Sequence, residues 1–141
     1  MAKKTVHMIL IIEDEEILLR VLYLTFHNAA YRIASATDGE TGLKMVERLK
    51  PDIILLDLIL PKLSGFDILK TIKANEALKH IPVIVLSNLG DEQDIEKAKQ
   101  LGAEDYFVKA NTDLNVLLQK VNATVKNHES RMAQPRPRAD E

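Results

Sequence analysis

Apolar positions in this chain fall into two alternating kinds of segment. Short runs in which nearly every residue is apolar occur at Met8–Ile12, Asp52–Leu56 and Pro82–Leu86, with shorter ones at Tyr31–Ala36 and Tyr106–Val108. Between them lie longer stretches of good helix formers at Glu15–Asn28, Gly39–Leu49, Gly65–Ala74, Glu92–Leu101 and about Thr112–Lys126. A strand that is apolar on successive residues is buried on both faces, so the pattern predicts a parallel sheet covered by helices on each side. Connections between parallel strands are right-handed, and covering both faces requires the winding to reverse once. For five strand–helix units the flavodoxin-like order 2-1-3-4-5 does this, giving a doubly wound α/β fold.

The punctuation agrees. Thr37 or Asp38 can cap the second helix, with Glu40 completing a capping box from Thr37. Ser64 precedes the third helix, Asp91 the fourth, and Asn111 or Thr112 the fifth. Pro51 stops the second helix and Gly102 follows the fourth. Residues 1–126 read as one domain. The stretch 127–141, with Pro135, Pro137 and three arginines but no apolar periodicity, reads as a disordered tail.

In such a fold, ligands bind beyond the carboxyl ends of the strands at the winding reversal, here between strands one and three. Strand one is followed by Glu13, Asp14, Glu15 and Glu16, and strand three by Asp57. Strand four ends at Ser87 and strand five at Lys109. Crowded carboxylates raise one another's pKa, and a hard divalent cation relieves the repulsion; an all-oxygen ligand set favours magnesium or manganese. Asp57, flanked by Ile53–Leu56 and Leu58–Leu60, is costly to bury without a partner. It can act as a nucleophile toward a phosphoryl group, with Lys109 and the Ser87 hydroxyl stabilising the phosphoryl oxygens. Glu15 and Glu16 are read instead as favourable charges at the first helix's N-terminus.

Composition narrows the classes further. The 141 residues carry 19 basic and 21 acidic side chains, so no basic surplus suits non-specific nucleic-acid binding. The absence of cysteine excludes disulfide scaffolds, thiol nucleophiles and sulfur-ligated zinc. The apolar stretch near the start is too short for a membrane span, and a cytoplasmic location is expected.

Together these motifs resemble the response-regulator receiver domain, in its chemotaxis-type, single-domain form. The matching pieces are Ile11–Glu15, Pro51–Asp57, Leu60–Gly65, Ile81–Ser87 and Gly102–Lys109, in register over roughly residues 6–126. The resemblance implies that Asp57 accepts a phosphoryl group from a sensor histidine kinase or histidine phosphotransfer protein. It implies magnesium or manganese on Glu13, Asp14, Asp57 and the Ile59 backbone carbonyl, with Ser87 and Tyr106 as switch residues. It places kinase docking on the first helix, where Leu18, Val21, Leu22 and Phe26 suit the sheet side. Ile17 and Leu24 are then left for a partner surface, together with Ala110 and Asn111. The chain is expected to be a monomer or weak dimer, with no nucleic acid bound within it and self-phosphorylation and self-dephosphorylation as its only chemistry.

Three positions depart from the family's usual pattern. The first acid is Glu13 rather than Asp, and the residue after Ser87 is Asn88 rather than a small one. Lys109 is followed by Ala110 where the family has a cis-proline; a non-proline cis bond costs about 2.5–4 kcal/mol, so a trans bond and a rearranged loop are expected. Apolar Ile59 and Leu89 predict slow self-dephosphorylation. The alternative is a phosphate-independent binding module on the same fold. A flavin carrier is disfavoured because the acidic run after strand one repels phosphate. A phosphohydrolase would need a second acid–base group for turnover.

Overall fold

The computed structural model describes residues 6–133. Its elements alternate as β1 (Met8–Ile12), α1 (Glu16–Asn28), β2 (Arg32–Ala36), α2 (Gly39–Leu49), β3 (Ile53–Leu56) and α3 (Gly65–Ala74). They continue as β4 (Val83–Ser87), α4 (Glu92–Gln100), β5 (Asp105–Val108), a 3-10 turn (Lys109–Asn111) and α5 (Leu114–Ala133). The strands form one parallel sheet in the order β2-β1-β3-β4-β5, as the hydrophobic pattern predicts.

The register explains why the inner strands need apolar residues at every position. Leu10 and Ile12 of β1, Ile54 and Leu56 of β3, and Val83 and Val85 of β4 point to one face, onto Val46, Ile68, Leu69, Ile72 and Ala98 of α2, α3 and α4. The alternate residues Ile9, Ile11, Ile53, Leu55, Ile84 and Leu86 point to the other, onto Leu22 and Phe26 of α1 and Leu117, Val121 and Val125 of α5. Two cores thus sandwich the sheet. α4 is the lightest covering: Ala98 is its one buried side chain, supplemented by Lys97 Nζ lying 4.3 Å from the Phe66 ring centroid.

Some local expectations hold and others change. Asp38, not Thr37, caps α2, its Oδ1 accepting from the Thr41 N–H at 2.8 Å. Ser64 caps α3 through the Asp67 N–H. Asp91 occupies the N-cap of α4 but makes no capping bond with its side chain. For α5 the acceptor is Asp113, which takes the Asn115 N–H at 2.7 Å, rather than Asn111 or Thr112. Val21 is exposed rather than sheet-facing; Leu19 packs inward in its place, three and seven residues ahead of Leu22 and Phe26.

The largest change is at the end of α5. The helix runs to Ala133, so residues 127–133 of the expected tail are helical, and residues 134–141 lie outside the described ones. Apolar periodicity stops at Val125, but polar contacts continue: His128 stacks on His80, Glu129 reaches His7 at 2.7 Å, and Arg131 lies 3.8 Å from Glu104. No proline interrupts the helix before Pro135.

Candidate functional site

β1 and β3 are adjacent and end together, so the residues that follow them meet. Glu13 continues the pairing by donating its N–H to the Ala36 carbonyl, and its side chain turns inward, 1% exposed. Glu13 Oε2 accepts the Glu15 N–H at 2.9 Å, which fixes the carboxylate at the start of α1. Asp57 donates its N–H to the Ile12 carbonyl and is 4% exposed. Its Oδ1 accepts the Ile59 N–H at 3.2 Å. Gly65 is required next to it, since a Cβ there would come within 2.2 Å of the Asp57 carbonyl oxygen.

Lys109 enters from the end of β5. Its Nζ lies 2.8 Å from Asp57 Oδ2, 2.9 Å from Glu13 Oε1 and 3.4 Å from Glu15 Oε2. Burial alone would lower the Lys109 pKa, but the hydrogen bonds to Asp57 and Glu13 outweigh it and the amine is held firmly protonated. The Glu13 carboxyl is pushed up, chiefly by burial, with the nearby Asp57 charge adding to the effect. The Lys109–Ala110 bond is trans, as the cost of a non-proline cis bond predicts, and the chain turns through the 3-10 segment into α5.

Ser87 is fully buried at the end of β4, its Oγ accepting the Leu89 N–H at 3.4 Å. Tyr106 stands on β5 opposite Val85. Its hydroxyl lies within reach of Ser87, and the hydrogen bond it donates to the protein backbone goes to the Leu89 carbonyl. Burial raises its pKa, and Asp94 adds to this. The segment after β4 is therefore gripped by a side chain from each of the two edge-side strands.

Glu13, Asp14 and Asp57 each offer an oxygen within 4.8 Å of the others, with Asp14 on the exposed rim. Glu13 Oε1 is buried and makes no hydrogen bond of good geometry, although the Lys109 amine is near. An all-oxygen set with one unsatisfied buried acceptor fits a hard divalent cation. Glu15 was read from the sequence only as a favourable charge at the start of α1. It occupies the N-cap position of α1 but makes no capping bond there, and its carboxylate joins the Lys109 cluster instead. Its place two residues after Glu13, on the same turn, is the signal that could have found it.

On the expected partner surface, Ile17 is 81% and Leu24 59% exposed, and Ala110 and Asn111 are exposed as well. The exposed Val21 completes an apolar stripe at i, i+4 and i+7 on α1.

The sequence profile described as "Response regulator receiver domain" matches residues 9–122, spanning all five strands and the whole acidic site. The chain belongs to the response-regulator receiver family. The DNA-binding dual master transcriptional regulator RpaA of Synechocystis is 35% identical to this receiver domain over 118 residues, covering 84% of the chain and 48% of that protein. The chain thus spans about half the length of such curated relatives. Among solved structures, the receiver domain of sensor histidine kinase PA1611 from Pseudomonas aeruginosa superposes with a TM-score of 0.77. It is 28% identical, covering 85% of this chain and 98% of its own, and has a magnesium ion coordinated in its active-site cleft. The Mn2+-bound form of response regulator Rcp1 gives a TM-score of 0.70 at 26% identity, covering 94% of this chain and 99% of that one. What is shared is the receiver domain itself; the narrower chemotaxis-type assignment does not follow from it. Among the described residues, no helix of the receiver domain is long and apolar enough to cross a membrane.

Proposed function

We propose that this receiver domain is a phosphorylation-dependent signalling switch in which Asp57 is the phosphoacceptor. A carboxylate oxygen of Asp57 attacks the phosphorus of a phosphohistidine donor. The P–N bond breaks, an acyl phosphate forms, and the released imidazole takes up a proton. Glu13, Asp14, Asp57 and the Ile59 carbonyl would hold magnesium, or manganese, whose charge would offset that of the incoming phosphoryl oxygens. Lys109 supplies a second positive charge and Ser87 a hydroxyl. The change passes through Ser87 and Tyr106 to the surface formed by α4, β5 and α5.

The observation that carries this reading is Asp57 itself: a buried carboxylate, 2.8 Å from a lysine amine, beside two further carboxylates at the sheet's winding reversal. The contacts of Ser87 and Tyr106 with Leu89 support the relay, because both strands then report to one segment ahead of α4.

The donor is a sensor histidine kinase or histidine phosphotransfer protein, docking on the α1 stripe of Ile17 and Leu24 with the exposed Ala110 and Asn111. The domain works in the cytoplasm, as a monomer or weak dimer that binds no nucleic acid itself. Its chemistry is confined to gaining and losing its own phosphoryl group, and it turns over no external substrate.

The test is an intact-mass measurement after incubation with magnesium and a small-molecule phosphodonor, beside an Asp57→Asn variant. One added phosphoryl group is expected, absent from the variant and absent without divalent cation. No adduct with any donor would overturn the reading and favour a phosphate-independent binding module.

A further inference from the structure

The far end of the sheet, away from Asp57, carries a second cluster of titratable groups. It is built around the last two turns of α5. Beyond Val125 the helix has no buried apolar anchor among the described residues, and three polar contacts hold it. The half-buried His128 ring stacks on His80, from the α3–β4 connection, with centroids 5.9 Å apart and planes 16° from parallel. Glu129, the next residue, meets His7 of the segment before β1 at 2.7 Å, both side chains about a quarter exposed. Arg131 approaches Glu104 at 3.8 Å but is largely exposed, so that contact contributes little.

The two histidine contacts sit among different charges. His128 is surrounded by Lys73 of α3, His80, Arg131 on its own helix, and a single acid, Glu104, in the turn before β5. Lys73 is fixed there, because its amine donates to the Lys79 and Ile81 carbonyls at 3.0 and 2.8 Å. A proton placed on the stacked pair therefore adds positive charge to a site that already holds two cations and one acid. Around His7 the balance is reversed: Glu129 is the charged group it touches, with the Tyr31 ring 6.5 Å away and Asp52 occupied by the Met8 N–H.

We propose that the end of α5 is held by a proton-sensitive latch: acidification opens its His128–His80 contact. The last turns of α5 are thereby loosened from the α3–β4 connection. Burial, then the neighbouring His80 and Arg131, depress the His128 pKa. The latched state thus binds fewer protons than the released one, and release sets in as pH falls below about 6.5, the ordinary value for a free histidine.

Hydrogen exchange on the full chain tests this, with protection factors corrected for intrinsic rates at about pH 7.5 and about pH 5.5, either side of the ordinary histidine value. Protection at the amides of residues 128–132 is expected to fall in the wild type, by at most about tenfold, the limit for one proton at one pH unit below the free-histidine value. His128→Phe and His80→Phe each keep a ring for stacking but cannot titrate, and in either variant the fall should be lost. A flat wild-type profile would overturn the latch. So would an equal fall in both Phe variants of the stacked pair, which would assign the effect to another group.

Discussion

Replacing Lys109 with methionine keeps most of the side chain's length and removes its charge, which isolates what the amine does. It stands 2.8 Å from Asp57 and 2.9 Å from Glu13, both almost fully buried. At an effective dielectric constant of about 20, each contact represents roughly 6 kcal/mol of Coulomb attraction, most of it offset by the cost of stripping water from three charges. Breaking a buried ion pair by removing one partner typically costs about 3–5 kcal/mol, because the remaining charges are left unpaired. In Lys109→Met two buried carboxylates face each other, so a loss of about 3–5 kcal/mol is expected in EDTA, or roughly 10 °C in Tm for a chain of this size. Urea melts with and without magnesium provide the assay. A divalent cation on the same carboxylates replaces the missing charge, and at a hundredfold excess over its Kd it restores about 2.7 kcal/mol. Wild type should gain less, because there the cation competes with the amine. The variant's deficit should also shrink at lower pH, since burial raises the Glu13 pKa and its carboxylate takes up a proton earlier as pH falls. A loss under about 1 kcal/mol in EDTA, the level of an exposed pair, would refute the reasoning. So would equal magnesium stabilisation of the two proteins.

Three further outcomes follow from the same geometry. The Ile59 side chain is 53% exposed beside Asp57 and orders water poorly, so the phosphorylated form should decay faster in Ile59→Asn; equal lifetimes measured by intact mass would count against this. Gly65→Ala forces a methyl group into the Asp57 backbone, with expected destabilisation of about 2–3 kcal/mol or more in urea melts and slower phosphorylation; a neutral variant would mean that α3 can shift freely. Tyr31, whose hydroxyl bonds Asn122 at 2.6 Å, has its pKa pushed up to about 12 by burial, with Asp52 adding to it. The folded state thus holds the phenol proton more tightly than the unfolded one. This contribution is complete below about pH 10 and lost as pH rises toward 12, so Tyr31→Phe should lose less stability over that alkaline range in denaturant melts.

The sheet was legible because burial on both faces leaves an unbroken apolar run at Ile9–Ile12, Ile53–Leu56 and Val83–Leu86, a signal few other structures leave. Strand order then followed from handedness, and with it the meeting of Glu13, Asp14 and Asp57. What escaped the sequence lies where side-chain direction or polar contact decides. Val21 and Leu19 are equally apolar, and only the rotation of α1 decides which faces the sheet. Glu15 could serve the helix terminus or Lys109, and the position of an amine 94 residues away settles it. The end of α5 is helical because His7 and His80, remote in sequence, meet Glu129 and His128; periodicity of apolar residues carries no trace of such pairs.

α4 has one fully buried side chain, Ala98, with Asp94 and Ile95 half-buried and Lys97 lying across Phe66. The exposed positions on this nine-residue helix can therefore be exchanged without disturbing the core. The scaffold and its most replaceable surface are written in separate residues. Selection, or a protein engineer, can change which partner reads α4 while leaving the chemistry around Asp57 as it stands.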